Sequence, residues 1–278
     1  MTILDEIFTQ KRFEIARKKQ VKSAAEVQAE AERARPPMDF VAALRRGSLL
    51  SVHRPKPALI AEIKRASPSK GLLRADFNPI DLARLYRQNG ASAVSVLTDE
   101  RYFRGHLDHL RWVAREFMES GPRLPLLRKD FICEPYQVYE SRAAGADAIL
   151  LIAAHLEADR LQKLHALSLS LGMAPLVEVH NQAEVVEALR CDPILMGINN
   201  RDLQDFSVNL ETTLRLRRLV PAGICLVAES GIRSREDVEI LSSAQVDAIL
   251  VGEAIVTAAD VPGMVRHFLG LETSVESP

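Results

Sequence analysis

Residues 58–64 read ALIAEIK, apolar up to Glu62 and closing on Lys64. Side chains of an extended chain alternate between two faces, so Ile60, Glu62 and Lys64 share one of them. A run that is apolar on both faces belongs to a parallel sheet covered on both sides. Here charge enters only at the C-terminal end.

Seven further runs of this kind follow, at 93–98, 125–130, 148–153, 174–179, 194–199, 224–230 and 248–252. Each is rich in Val, Ile, Leu or Ala, and helical patterns lie between them. Asn78-Pro79 opens a helix over 80–88 that stops at Asn89-Gly90. Ser234 and Asp237 form a capping box ahead of 238–241. Such alternation implies right-handed βαβ crossovers, either closed as a barrel or laid out as a doubly wound sheet. A G-x-G-x-x-G after the first strand would favour the open sheet, and the sequence has none there.

Residues before Ala58 stand outside the repeat. Residues 3–35 read as one helix, with Ile3, Leu4, Ile7, Phe8 and Ile15 along one side and Pro36-Pro37 as its stop. A shorter helix follows over 39–45. Some 50 residues make a poor independent core. We therefore expect residues 1–50 to be a helical extension packed on a single domain that spans 1–278.

With 278 residues, 47% of them hydrophobic, the chain can bury a large core. Its formal net charge of −1 gives no electrostatic case for nucleic acid or an anionic membrane as partner. No apolar run approaches the ~18 residues of a membrane span. The first twenty residues lack the apolar stretch of a secretory signal, and Asp5, Glu6 and Glu14 argue against a transit peptide. Cys133, Cys191 and Cys225 show no short spacing, which fits reduced thiols in a cytoplasm rather than disulfides or zinc. Cys133 is read as a small hydrophobe, not a nucleophile.

The placement of charge carries the functional reading. Lys129 ends the third run on the face of Leu127, and Glu178 ends the fifth on the face of Leu176. Asn199 ends the sixth and Ser230 the seventh. Burying a lone charge costs several kcal/mol, so such groups pair or face a polar cavity. In a parallel barrel that place is the C-terminal mouth, where alternate strands fill one layer of side chains. The first, third and fifth strands would supply such a layer, with two lysines facing two glutamates. Each charge alone could equally be a strand end reaching solvent; their coincidence favours the shared layer.

Glu229-Ser230-Gly231 and Gly252-Glu253 leave the last two strands, where barrels often bind phosphate through backbone N–H groups. Singly, Gly231 and Gly252 would be turn glycines. The loop 65–74 carries Arg65, Ser67, Lys70 and Arg74 and is expected as a mobile lid. Tyr102 and Phe103 follow the second strand and offer aromatic surface to a substrate. His106 and His109 have the spacing of a metal pair but no acidic or cysteine partner, and read as surface histidines.

AEIKRASPSKG (61–71), LTDERYFRG (97–105), LLRKDFI (126–132), LVEVH (176–180), GINNRDL (197–203) and ESGI (229–232) together resemble the indole-3-glycerol phosphate synthase family. The similarity spans nearly the whole chain. Departures are small: His106 and Ala228 replace commoner small residues, and the last loop reads GEAI. The resemblance implies an eight-stranded (β/α)8 TIM barrel with an N-terminal helical segment, acting without cofactor or metal. It implies a phosphorylated aromatic small-molecule substrate, 1-(2-carboxyphenylamino)-1-deoxyribulose 5-phosphate, and a cytoplasmic enzyme that is a monomer or weak homodimer. It further implies Lys129 as the acid for ring closure, Glu178 as the base for dehydration and Glu62 as a proton relay. Lys64 would contact substrate carboxylate or phosphate and be a second acid. Asn199 and Arg201 would orient the substrate, with Phe103 and Phe131 against its rings. Ser67, Ser230, Gly231, Gly252 and Glu253 would hold the phosphate, with Lys64.

Two other readings compete. A phosphoribosylanthranilate isomerase needs a Cys/Asp acid–base pair, but the first strand ends in Glu62 and Lys64. A catalytically silent metabolite-binding barrel has no use for a set of lysines and glutamates. Removal of residues 1–35 is expected to raise KM more than it lowers stability.

Overall fold

The computed structural model describes residues 3–49, 56–202 and 206–271. Among these, eight parallel strands close into a barrel: β1 Ala58–Ile63, β2 Ala93–Leu97, β3 Leu126–Lys129, β4 Ala148–Ile152, β5 Ala174–Val179, β6 Leu195–Asn199, β7 Cys225–Glu229 and β8 Ala248–Val251. Register closes the ring, with Ile60 opposite Ala93 on one side and opposite Leu250 on the other. The closed barrel, not the open sheet, is therefore the fold. Nearly every strand residue is buried, as both-sided apolar runs require.

Helices α1 Ile3–Val21, α2 Ala24–Arg33 and α3 Phe40–Leu49 precede the barrel. Around it run α4 Pro79–Gln88, α5 Leu107–Glu119, α6 Pro135–Ala143, α7 Ala158–Ser170 and α8 Gln182–Leu189. The circuit ends with α9 Glu211–Leu216, α10 Arg235–Ser243, α11 Glu253–Val256 and α12 Val261–Leu269. The caps read from sequence are in place. Asn78 Oδ1 accepts from Ile80 N at 3.0 Å, Gly90 takes φ +95°, and Ser234 and Asp237 cap each other.

Three expectations change. Residues 3–35 form two helices, because Ser23 and Glu26 make a capping box that starts a new helix at Ala24. Residues 65–74 are not an irregular loop, since Ala66–Ser67 pairs antiparallel with Gly71–Leu72 as a small hairpin. That hairpin is tied to α11 by the Lys70–Glu253 ion pair and by Arg74 donating to Val256 O at 3.1 Å. His106 is the N-cap of α5, accepting from Asp108 N, while His109 packs half-buried against Phe77 and Trp112. Burial pushes the His109 imidazole down to about 4.

Helix α1 reaches further into the barrel than its apolar stripe suggests. Phe8 stacks on His155 and meets the edge of Phe131. Lys11 Nζ lies 2.8 Å from Asp99 and 3.0 Å from Asp130, with all three side chains buried. The chain of charge continues from Asp130 to Arg128 (2.9 Å), to Glu140 (2.8 Å) and back to Lys18 of α1 (3.0 Å). Burial alone would neutralise Lys11, but Asp130 and Asp99 hold it charged. Removing residues 1–35 would thus strand two buried carboxylates, costing stability as well as substrate affinity.

Lys11→Met isolates that cost. It should lower the unfolding free energy by about 3 kcal/mol, as for loss of one partner of a buried pair. Burial already raises the Asp99 carboxyl, so Asp99 penalises folding at neutral pH and the penalty eases as pH falls and it protonates. Without Lys11 that penalty grows. Denaturant titrations at pH 8 and pH 5 should therefore show a smaller difference between mutant and wild type at the lower pH.

Candidate active site

The mouth at the C-terminal ends of the strands holds a cavity of about 520 Å³. Each residue singled out for the site lines it: Glu62, Lys64, Ser67, Phe103, Lys129, Phe131, Glu178, Asn199, Arg201, Ser230, Gly231, Gly252 and Glu253. Ile3, Leu4 and Ile7 of α1 add an apolar wall, and Phe103 and Phe131 lie 6.1 Å apart between ring centres. Tyr102 does not join them; its hydroxyl turns away to Glu6 of α1 at 3.1 Å.

The charged layer is larger than the strand ends indicate. Glu229 belongs to it, because β7 closes one residue before Ser230 and Glu229 is buried. All four odd-numbered strands then contribute: Glu62, Lys129, Glu178 and Glu229. Lys129 Nζ sits 2.8 Å from Glu178 and 3.0 Å from Glu229. Lys64 lies 2.9 Å from Glu62, on its own strand's end, rather than against Glu178. Three carboxylates thus surround two ammonium groups, and the expected neutral set of two and two is corrected. A period-two count back from Glu229 through Val227 would have placed it inward.

The two partners of Lys129 differ. Burial pushes Glu178 up, but the Lys129 ammonium and His180 overcome it and hold the carboxyl well below its ordinary range. Asn199 Nδ2 donates to its Oε1 at 3.2 Å. Burial also raises Glu229, and Lys129 only partly offsets this while Glu178 and Glu62 add to it, leaving the carboxyl at about 7. Glu229 Oε1 accepts no hydrogen bond from the described residues. Burial would neutralise Lys129, yet Glu178, Glu229 and Glu62 keep it an ammonium. Cys133 is not in this cavity, and burial pushes its thiol up to about 11.

Two glycines make room for the carboxylates. A Cβ on Gly197 would stand 2.2 Å from Glu229 Oε1, and one on Gly252 would stand 2.3 Å from Glu62 Oε1. Gly252 therefore serves the charged layer, beyond the close phosphate approach read from sequence. Ser230 and Gly231 both take positive φ, +65° and +79°, as the chain turns off β7 over the cavity. Arg201 is steadied by Asn199, whose Oδ1 accepts Arg201 N at 3.0 Å, and by donating to Phe206 O at 3.2 Å. Glu253 pairs with Lys70, so any anion it holds must be met by its backbone N–H. Among the described residues no group of three His, Cys, Asp or Glu is placed to hold a metal ion. No helix among them is long and apolar enough to cross a membrane.

Comparison with known proteins follows this geometry. The family model for indole-3-glycerol phosphate synthase matches residues 4–268. The protein of that name from Roseiflexus sp. (strain RS-1) is 52% identical over 273 residues, covering 97% of this chain and 98% of the relative. Its namesake from Polaromonas naphthalenivorans (strain CJ2) is 50% identical, covering 94% and 96%. Among solved structures, 3-hexulose-6-phosphate synthase from Salmonella typhimurium superposes with a TM-score of 0.61 at 13% identity, covering 77% of this chain and 97% of that one. At that identity the likeness is one of fold.

Gly197→Ala tests whether the Glu229 position matters. The clash falls on the far end of a flexible side chain, so the barrel should fold while the carboxylate moves. We expect a melting temperature within a few degrees of wild type and a catalytic rate at least ~10-fold lower, since misplacing a reacting group by about 1 Å can cost that much or more. An unaltered rate would show that the carboxylate tolerates displacement.

Proposed function

The chain belongs to the indole-3-glycerol phosphate synthase family, and from that membership we propose how its cavity divides the work. The chain is a carboxy-lyase of tryptophan biosynthesis that closes an indole ring. In that reaction the ring carbon bearing the carboxylate attacks the ribulose carbonyl. Carbon dioxide leaves, restoring aromaticity, and loss of water completes the pyrrole ring. The carbonyl oxygen needs a proton as charge builds on it, the departing hydroxyl needs an acid, and one proton must be removed by a base.

The observation that carries the assignment of roles is the buried ammonium of Lys129 shared by two carboxylates. Lys129 is the acid for ring closure. Glu178, held ionised, is the base for dehydration. Glu62, paired with Lys64, relays protons, and Lys64 meets the substrate carboxylate or phosphate and is the second acid. Asn199 and Arg201 orient the substrate, while Phe103 and Phe131 flank its ring. Ser67, Ser230, Gly231, Gly252 and the Glu253 backbone receive the phosphate, with Lys64. Proton transfer among lysines and glutamates suffices for each step, so the reading includes no cofactor and no metal.

The same reading takes the chain as one barrel domain with residues 1–50 as its extension. It works in the cytoplasm as a monomer or weak homodimer, with no nucleic acid or membrane as partner. A cavity without a cysteine among its described residues disfavours the isomerase, and a buried set of acids and bases disfavours a silent binder.

Turnover of the carboxyphenylamino-ribulose phosphate, followed by indole fluorescence, tests the activity. Lys129→Met should lower kcat by at least ~10² while substrate still binds, because the proton is donated in the transition state. Glu178→Gln fills the same space without accepting a proton. It should lower kcat by about 10²–10⁴ and change KM by less than about tenfold. Single-turnover experiments should then accumulate a ring-closed, decarboxylated, still hydrated intermediate. A Glu178→Gln enzyme at near wild-type rate would move the base to Glu62.

A further inference from the structure

His180 closes the LVEVH motif and takes no part in the roles above. It does not line the substrate cavity. It stands behind Glu178, in a second cleft of about 440 Å³ between α1 and the segments that follow β5 and β6. Its ring bridges two carboxylates, with Nε2 3.3 Å from Glu178 Oε1 and Nδ1 2.9 Å from Glu184 Oε2. At 3.3 Å the first contact is an ion pair rather than a well-aligned hydrogen bond. The second is fixed firmly, because Glu184 Oε2 also accepts His180 N at 2.8 Å and Asn181 holds the other oxygen. Burial disfavours a charged ring, but Glu178 and Glu184 outweigh it and push the imidazole up to about 10.

Glu178 and Glu229 lie at nearly equal distance from Lys129, so the lysine alone does not choose between them. Their other surroundings do. Glu178 Oε1 has Asn199 and the His180 ring, whereas Glu229 Oε1 has no donor among the described residues. Two carboxylates around one ammonium share a proton most readily at the site with less positive charge. We propose that His180 is a positioning residue whose imidazolium, seated behind Glu178, keeps Glu178 the ionised member of the pair and leaves the proton on Glu229.

This rests on the reading of Glu178 as base. It gives Glu229 a role that follows from His180: a protonated carboxyl beside the ammonium, facing the cavity. Other charged groups around His180 are Asp5 of α1, His155 after β4, Arg201 and Asp202 after β6, and Arg215 of α9. Burial pushes the His155 imidazole down. Around Glu178 the remaining groups are Lys129 and Glu229.

The test is His180→Gln, which keeps polar contact and removes the charge. Carboxyl titration by ¹³C NMR on glutamate-labelled protein, assigned with Glu178→Gln and Glu229→Gln, reads the proton directly. In His180→Gln the Glu178 titration should move up by at least about one pH unit, as expected when a neighbouring cation is lost. The acid limb of kcat/KM should move up with Glu178, with KM changed less than about threefold. His180→Asn removes the same charge with a shorter amide, should shift Glu178 in the same direction, and serves if His180→Gln does not fold. A folded His180→Gln, or failing that His180→Asn, with an unmoved Glu178 titration would overturn the proposal. If the wild type gives no indole product, the assigned reaction fails, while the NMR titration still judges His180.

Discussion

A buried charge must meet its opposite, and the mouth of this barrel is arranged around that requirement. Glu62, Glu178 and Glu229 are all nearly inaccessible, and two ammonium groups answer them. The layer has no room to spare. Gly197 and Gly252 are there because a methyl group would occupy the space of a carboxylate oxygen. With three acids to two bases, one proton is left to be held within the layer. We propose that where it rests is set by Asn199 at the cavity wall and by His180 behind it.

Strand β3 is the element on which the two charged systems meet. Lys129 points into the cavity, while Arg128 and Asp130, one residue to either side, point outward by the alternation of the strand. Arg128 and Asp130 are gripped by Lys11 of α1, Glu140 of α6 and Thr98 after β2. The end of β3 is thereby held on both faces, and helix α1 is one of the jaws. The same helix supplies Ile3, Leu4 and Ile7 to the cavity wall. Its part in stability and its part in the site therefore cannot be separated by truncation, only by single side chains such as Lys11.

The barrel is legible because its strands are apolar on both faces up to their C-terminal ends and helices such as α4 and α10 carry their own caps. Glu62, Lys129 and Glu178 were legible as charges on the inward face of otherwise apolar runs. Glu229 was hidden by its neighbours. In ESG the serine and glycine point to a phosphate loop, and the seventh run reads through Ser230, one residue beyond the strand, which passes over Glu229. Lys11 was hidden because a lysine on an amphipathic helix ordinarily reaches water; only the fold brings Asp99 and Asp130 to it. Ser23, in the middle of an apparently continuous helix, carried a capping-box signal with Glu26 that the apolar stripe outweighed. Tyr102 and Phe103 are adjacent and looked equivalent, but their side chains leave a loop in different directions, and sequence gives no handle on that.

An enzyme that must donate and accept protons at one pH needs two groups whose environments drive them apart. Two glutamates of this layer illustrate such a separation: both lie on barrel strands, both are buried, and both are within hydrogen-bond distance of one lysine. Distance to that lysine does not distinguish them. The difference comes from behind: Glu178 backs onto an imidazole that Glu184 keeps charged, and Glu229 backs onto Gly197, which offers neither charge nor donor side chain. Burial then acts with opposite outcome on the two. It is overcome at Glu178 by the added cation and left standing at Glu229. In this proposal one side-chain type takes two protonation states within the same layer, and the residue that separates them does not line the cavity.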